Sequence, residues 1–196
     1  MFLVAGLGNP GEEYALTPHN LGFRAIDRLA ERHGIRVTRK DSRAFVGVGE
    51  IDGHEVMLAK PQTYMNLSGT SLAALKEKHA IGMGEFLVVY DELDLPWLSL
   101  KIKPKGSAAG HKGMQSVIGS LHSSDLVRVR LGIHPDHPLR DGAEFVLAPF
   151  KRSQMKELEE LVDYGAGAVR SIIAEGVSKA MTKFNRRAPG LNTEDE

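Results

Sequence analysis

The chain contains no cysteine. Disulfide scaffolds, thiolate metal sites and cysteine nucleophiles are thereby excluded together. It has no net charge either, 25 basic side chains balancing 25 acidic ones. This argues against a bulk-cationic nucleic-acid binder and against an acidic tail protein. Aromatic residues make up only 6% of the chain. No apolar run approaches the ~20 residues that a membrane span needs. The opening Met-Phe-Leu-Val-Ala-Gly-Leu-Gly has no basic leader, and its apolar run is too short for a signal-peptide core. A soluble, cytoplasmic protein without a membrane partner is expected.

What remains is ordinary globular composition, 42% hydrophobic and 26% charged over 196 residues. A chain of this length should bury roughly 70% of its unfolded surface in one compact domain.

The run from Phe2 to Ala5 is apolar without alternation, which predicts a central strand buried on both faces. Asn20 to Arg32 carries Phe23, Ile26, Leu29 and Ala30 on one stripe and reads as a helix that Gly34 stops. Ala44–Ile51 and His54–Ala59 read as two strands joined by the hairpin signal Asp52-Gly53. A helix is predicted from about Leu67 to His79, then an apolar strand over Phe86–Tyr90 and an alternating strand over Leu98–Lys103. A small-residue loop, Pro104 to His111, leads into a helix from Met114 to Leu121. Val127–Ile133 reads as a strand. Ser153 is the candidate N-cap of a long helix carrying Leu158, Leu161, Val162, Val169 and Ile172, and a short helix covers Val177–Phe184. Strands interleaved with helices predict one α/β domain over residues 1–185, with a twisted, mixed, mostly parallel β-sheet flanked by helices. Residues 186–196 are polar and are expected to form a flexible tail. No oligomerisation signal stands out, so a monomer is expected.

Gly6-Leu7-Gly8-Asn9-Pro10-Gly11 matches G-x-G-x-x-G after a strand. The dinucleotide reading needs a helix opening straight from that loop. Here Glu12 and Glu13 set negative charge where a phosphate would dock, and Pro18 interrupts any helix. The loop is better read as a tight turn that aims Asn9 over the end of the sheet. Ligands of open α/β sheets gather beyond the carboxyl ends of the strands. Asn9, Tyr64, Met65, Asn66 and Asp91 follow strands, His19 sits near a helix start, and His111 ends the small-residue loop. These are the parts of a metal-free hydrolase. A histidine can take a proton from water, a carboxylate can orient it, and asparagine amides can stabilise an oxyanion. Blander readings stand beside this one: Asn66 and Ser68 as helix caps, and Asp91-Glu92-Leu93-Asp94 as a solvated acidic loop. His134-Pro135-Asp136-His137 bunches possible ligands, but its prolines mark a polar turn, and no metal or cofactor is expected.

These segments resemble one known family in order and spacing. Gly6 to Gly11 with Tyr14 and His19-Asn20-Leu21-Gly22, then Lys60-Pro61-Gln62-Thr63-Tyr64-Met65-Asn66-Leu67-Ser68-Gly69, are similar to the first two signatures of bacterial-type peptidyl-tRNA hydrolase. Asp91 to Pro96, Gly110-His111-Lys112-Gly113 and Arg128 to Ile133 resemble the other three. The resemblance implies cleavage of the ester between a peptide and the terminal ribose of tRNA, recycling tRNA from abandoned translation without a cofactor. It implies His19 as the base, Asp91 as its orienting partner, and Asn9 and Asn66 as positioning and oxyanion groups. Tyr14, Tyr64, Met65, His111 and Lys112 would contact substrate, and Lys103 with Arg130 would clamp the terminal phosphate of the acceptor end. The family usually has asparagine where this chain has Lys112, and lysine donates hydrogen bonds but accepts none. Independently of the family, Lys101, Lys103, Lys105, Lys112, Arg128 and Arg130 oppose Asp125 alone between Ser99 and His134. Two other classes stay open at this stage: a non-catalytic RNA-binding relative of the same fold, and a dinucleotide-dependent oxidoreductase.

Overall fold

The structure is a computed structural model, and it describes residues 1–186 and 188. Among the described residues, seven strands form one sheet in the order β2-β3-β4-β1-β5-β7-β6. β1 (Phe2–Gly6) is flanked in parallel by β4 (His54–Pro61) and β5 (Phe86–Pro96), and β5 is parallel to β7 (Val127–His134). The flanks are antiparallel. β3 (Ala44–Ile51) pairs with β4 through the Asp52-Gly53 turn and with the short β2 (Arg39–Asp41). β6 (Leu100–Lys103) pairs with β7 at the other edge.

Both faces of the central strands are covered, which is why they read as unbroken apolar runs. Val4, Leu58, Leu87, Val89, Val129 and Leu131 face α1 (Leu21–His33), α5 (Met155–Glu175) and α6 (Val177–Phe184). Leu3, Ala5, Met57, Ala59, Phe86 and Val88 face α2 (Ser68–Lys78) and α3 (Lys112–Leu121). Arg24, Arg28 and Arg32 of α1 pair with Glu159 and Asp163 of α5, tying the two helices along their length.

Several elements differ from the sequence reading. β5 runs on to Pro96, so Asp91 lies inside a strand rather than after it. Asp91 and Glu92 are only 1% and 2% exposed, which removes the solvated-loop reading. α1 begins at Leu21, after a 3-10 turn over Pro18–Asn20 that contains His19. Neither Asn66 nor Ser68 caps α2; Ser68 instead donates to the Met65 carbonyl at 2.8 Å. α5 is entered through a 3-10 turn over Arg152–Gln154, and the Lys151 N–H donates to Gln154 Oε1 at 2.9 Å, so Ser153 is not the cap. α4 (Gly142–Phe145) and β2 were not anticipated. Apart from Arg186 and Ala188, the expected tail lies outside the described residues. Those two extend the edge of the sheet: Leu100 N–H donates to the Arg186 carbonyl, and Ala188 N–H to that of Leu98.

The glycine loop has a packing reason. A Cβ on Gly6 would lie 2.1 Å from the Gly22 carbonyl oxygen, and one on Gly22 would lie 2.4 Å from Leu7 N. Only glycine at both positions lets the first turn of α1 press against the end of β1. No helix opens from Gly11; a 3-10 turn over Glu12–Tyr14 follows instead. The geometry a bound pyrophosphate requires is missing there.

Candidate active site

A cleft of about 490 Å³ opens at the carboxyl ends of β1, β4 and β5. Asn9, Tyr14, His19, Tyr64, Met65, Asn66, Asp91, His111 and Lys112 all line it. Thus nine residues singled out from the sequence, drawn from five separate segments, meet in one place.

Asp91 is its centre. Oδ2 lies 2.8 Å from His19 Nδ1, and Oδ1 lies 2.9 Å from His111 Nε2. The two rings are 4.9 Å apart between centroids. His111 N-caps α3, its Nδ1 accepting from Met114 N–H at 3.2 Å. That bond assigns the proton of His111 to Nε2, which donates to Asp91. The same logic gives His19 a proton on Nδ1, donated to Asp91 Oδ2, and leaves Nε2 with a free lone pair. Burial alone would raise the Asp91 pKa. The charges and hydrogen bonds of His111 and His19 outweigh it and hold the carboxyl well below the usual carboxylate range.

Asn9 is held just as firmly. Its N–H donates to Asn20 Oδ1 at 2.9 Å, and Asn20 Nδ2 donates back to the Asn9 carbonyl at 3.0 Å. Met65 N–H donates to Asn9 Oδ1 at 2.8 Å. With its oxygen committed, the Asn9 side chain has only its amide N–H groups to offer the cleft. Met65 is buried, while Asn66 and Tyr64 are exposed at the rim, Tyr64 at 62%. The His19 backbone N–H donates to the Val146 carbonyl at 3.0 Å, which fixes the base against the segment after α4.

His19, Asp91 and His111 bring their ligand atoms within 4.8 Å of one another, a spacing that a cation could bridge. Both nitrogens facing Asp91 are instead engaged with its carboxylate oxygens.

Lys103 and Arg130 do not line this cleft. The β6–β7 register sets Lys103 opposite Arg128 and Lys101 opposite Arg130. All four share one sheet face, yet the arginines are not its solvated part. Arg130 is 7% exposed, with Nε donating to Glu92 Oε2 at 3.1 Å. Arg128 is 1% exposed and donates to the carbonyls of Leu126, Ser107 and Ser124. The cationic excess of this segment is therefore presented mainly by Lys101, Lys103, Lys105 and Lys112.

Some site residues escaped the sequence reading. Asn20 holds Asn9, and Leu93, Asp94, Gly142, Ala143, Val146 and Leu147 complete the cleft wall. A signal for that wall was present: Asp141 three residues before Glu144 is a capping pattern, and Asp141 Oδ1 accepts from Ala143 N–H and Glu144 N–H.

Comparison with known proteins bears on this geometry. The family model described as peptidyl-tRNA hydrolase matches residues 3–192. A peptidyl-tRNA hydrolase of Solibacter usitatus is 74% identical over 195 residues, covering 100% of both chains. One of Koribacter versatilis is 48% identical, covering 95% of this chain and 94% of its own. The crystal structure of peptidyl-tRNA hydrolase from Acinetobacter baumannii superposes with a TM-score of 0.89 at 31% identity, covering 96% of each chain.

Proposed function

The chain belongs to the peptidyl-tRNA hydrolase family and hydrolyses the ester of peptidyl-tRNA, and from that premise we propose how its cleft performs the reaction. His19 Nε2 takes a proton from a water molecule as the water oxygen attacks the ester carbonyl carbon. The imidazolium that forms is stabilised through Nδ1–H by the ionised Asp91. The carbonyl oxygen becomes an oxyanion, which accepts hydrogen bonds from the side-chain amides of Asn9 and Asn66. Collapse of the tetrahedral intermediate breaks the bond to the ribose 3′ oxygen. That oxygen takes the proton back from His19, leaving free tRNA and a peptide acid. Tyr14, Tyr64, Met65, His111 and Lys112 border the space where peptide and terminal nucleotide would lie.

We extend the proposal to the acceptor end of tRNA. Lys103 meets the terminal phosphate, flanked by Lys101 and Lys105, and Arg130 adds charge from the neighbouring strand while Glu92 holds it. Such contacts position the substrate without reading bases. The protein would act in the cytoplasm as a monomer; among the described residues, no helix is long and apolar enough to cross a membrane.

The observation that carries this reading is the His19–Asp91 bond, with the other imidazole nitrogen left free in a cleft that the fixed Asn9 also lines. A non-catalytic RNA-binding role is not favoured, because binding alone needs no such base. Release of peptide from purified peptidyl-tRNA, compared between wild type and His19→Ala, tests it. Full turnover by a correctly folded His19→Ala would remove His19 as the base.

A further inference from the structure

A second, larger cavity of about 1460 Å³ lies against the cleft. The two meet at Asp94, which lines both. Elsewhere they stand back to back. Pro18 and Phe145 face the larger groove, whereas their chain neighbours His19 and Val146 face the cleft. The groove and the cleft are thus neighbours divided by this wall and joined at Asp94.

Its chemistry is unlike that of the β6 edge. Trp97, Phe150 and Pro138 are among its walls, and the Trp97 and Phe150 rings pack 5.5 Å apart. Trp97 is held in place: Nε1–H donates to Glu157 Oε2 at 2.7 Å, and its backbone N–H donates to the His134 carbonyl at 2.8 Å. Among the described residues that line it, three carboxylates, Asp94, Asp136 and Glu157, oppose one permanent cation, Lys151. Such a surface repels a phosphate backbone and suits an extended chain with apolar side chains and a terminal ammonium.

The substrate has two unlike halves, and the protein offers two unlike surfaces beside its cleft. We propose that the groove between Trp97 and Phe150 is a subsite for the upstream, N-terminal part of the substrate's peptide. It rests on the assignment of the cleft as the site of ester hydrolysis. The C-terminal, ester-linked residues of the peptide occupy the cleft, the chain crosses Asp94, and residues nearer the N-terminus lie on Trp97 and Phe150, with the free amine toward the acidic rim. A peptide of about five residues spans ~17 Å when extended, enough to leave the cleft. The His134 to Pro138 turn, left without a role by the reaction itself, forms part of this groove.

Trp97 is the sole tryptophan of the chain, so its emission reports on the groove alone. Two inert analogues provide the probe: 3′-amino-3′-deoxyadenosine carrying, through an amide, either one N-acetylated amino acid or an apolar peptide of about five residues with a free amine. Both should inhibit hydrolysis of peptidyl-tRNA. Only the longer should shift Trp97 emission, and it should bind on the order of 10-fold more tightly. Asp136→Lys, at an exposed position, should erase most of that gain while leaving inhibition by the short analogue unchanged. Equal affinity for the two analogues with no emission change overturns the subsite. So does an emission response to a CCA trinucleotide without peptide, which would make the groove a nucleic-acid surface. If neither analogue inhibits while peptidyl-tRNA is still cleaved, the cleft assignment fails, and the groove fails with it.

Discussion

His19 Nδ1 lies 2.8 Å from Oδ2 of Asp91, and that bond decides which nitrogen of the ring can act as a base. An asparagine at 91 would keep the shape but remove the charge and offer an N–H group where His19 needs an acceptor. The wrong tautomer would then be favoured, as in other histidine–carboxylate pairs. Asp91→Asn and His19→Ala should each lower kcat by ~10²–10⁴-fold with little change in KM. Single-turnover cleavage of peptidyl-tRNA measures this. A large rise in KM at unchanged kcat would assign the pair to binding instead.

His111 has a double structural duty beside any contact with substrate. It donates to Asp91 Oδ1 and accepts from Met114 N–H at the start of α3. His111→Ala therefore leaves a buried carboxylate oxygen short of a partner, at a cost of ~1–3 kcal/mol. Loss of the cap adds about 1 kcal/mol. Urea unfolding should show a clearly lower midpoint, whereas His19→Ala, which removes a more solvent-exposed partner from the other oxygen of Asp91, should show a smaller change.

Gly6→Ala should damage stability and catalysis together. Its Cβ would meet the Gly22 carbonyl at 2.1 Å, and backbone does not yield as a flexible side chain would. Overpacking of this kind costs ~1–3 kcal/mol or more. Any relief also moves the loop that carries Asn9 and the turn that carries His19. The control is Gly84→Ala, where an added Cβ meets nothing within 4 Å. Thermal unfolding and turnover of the two variants should separate cleanly.

The sheet was legible where burial is apolar and local. Phe2–Ala5 and the Asp52-Gly53 hairpin follow from residue type and turn chemistry alone. The continuation of β5 was not legible, because Asp91, Glu92 and Asp94 read as solvent-loving. Asp91 and Glu92 are buried only because His19, His111 and Arg130 arrive from elsewhere in the chain to pair with them. For the same reason the burial of Arg128 and Arg130 was not legible. The excess of cations was visible in the sequence, but their partners, backbone carbonyls and a carboxylate on another strand, were not. The cleft residues were found through motifs, whereas Asn20 was missed because its role depends on facing Asn9 across a loop.

Acid should weaken the fold through Asp41 as well as Asp91. The hydrogen bond from Lys78 lowers the Asp41 pKa most, burial opposes it, and His79 and Ser42 add to the lowering. A carboxylate whose pKa is depressed on folding contributes stability above its unfolded pKa of about 3.9. That contribution is lost as pH falls below this value toward the folded pKa. Asp41→Asn should thus be less stable than wild type at pH 7 and lose less on going to pH 3. Urea midpoints at the two pH values test the sign; an identical drop in both proteins would exclude Asp41 as a source.

Lys103 and Arg130 should fail differently when truncated, although both are assigned to the tRNA phosphate. Lys103 is half-exposed, and its partner across the sheet is Arg128 rather than a carboxylate. Lys103→Ala should weaken substrate binding and reduce the slope of log affinity against log salt by about 1, with stability unchanged. Arg130→Ala would also strand Glu92, which is 2% exposed and loses its ion-pair partner at 3.1 Å. Breaking one side of a buried pair costs ~3–5 kcal/mol. Glu92 also accepts from Asp94 N–H, so the turn at the mouth of the cleft should loosen as well. Arg130→Ala is therefore expected to lower the unfolding midpoint and kcat together. Arg130→Ala combined with Glu92→Gln should recover much of the stability while leaving the salt slope reduced. If Arg130→Ala alone unfolds like wild type, the Glu92 pair is not what holds this strand end in place.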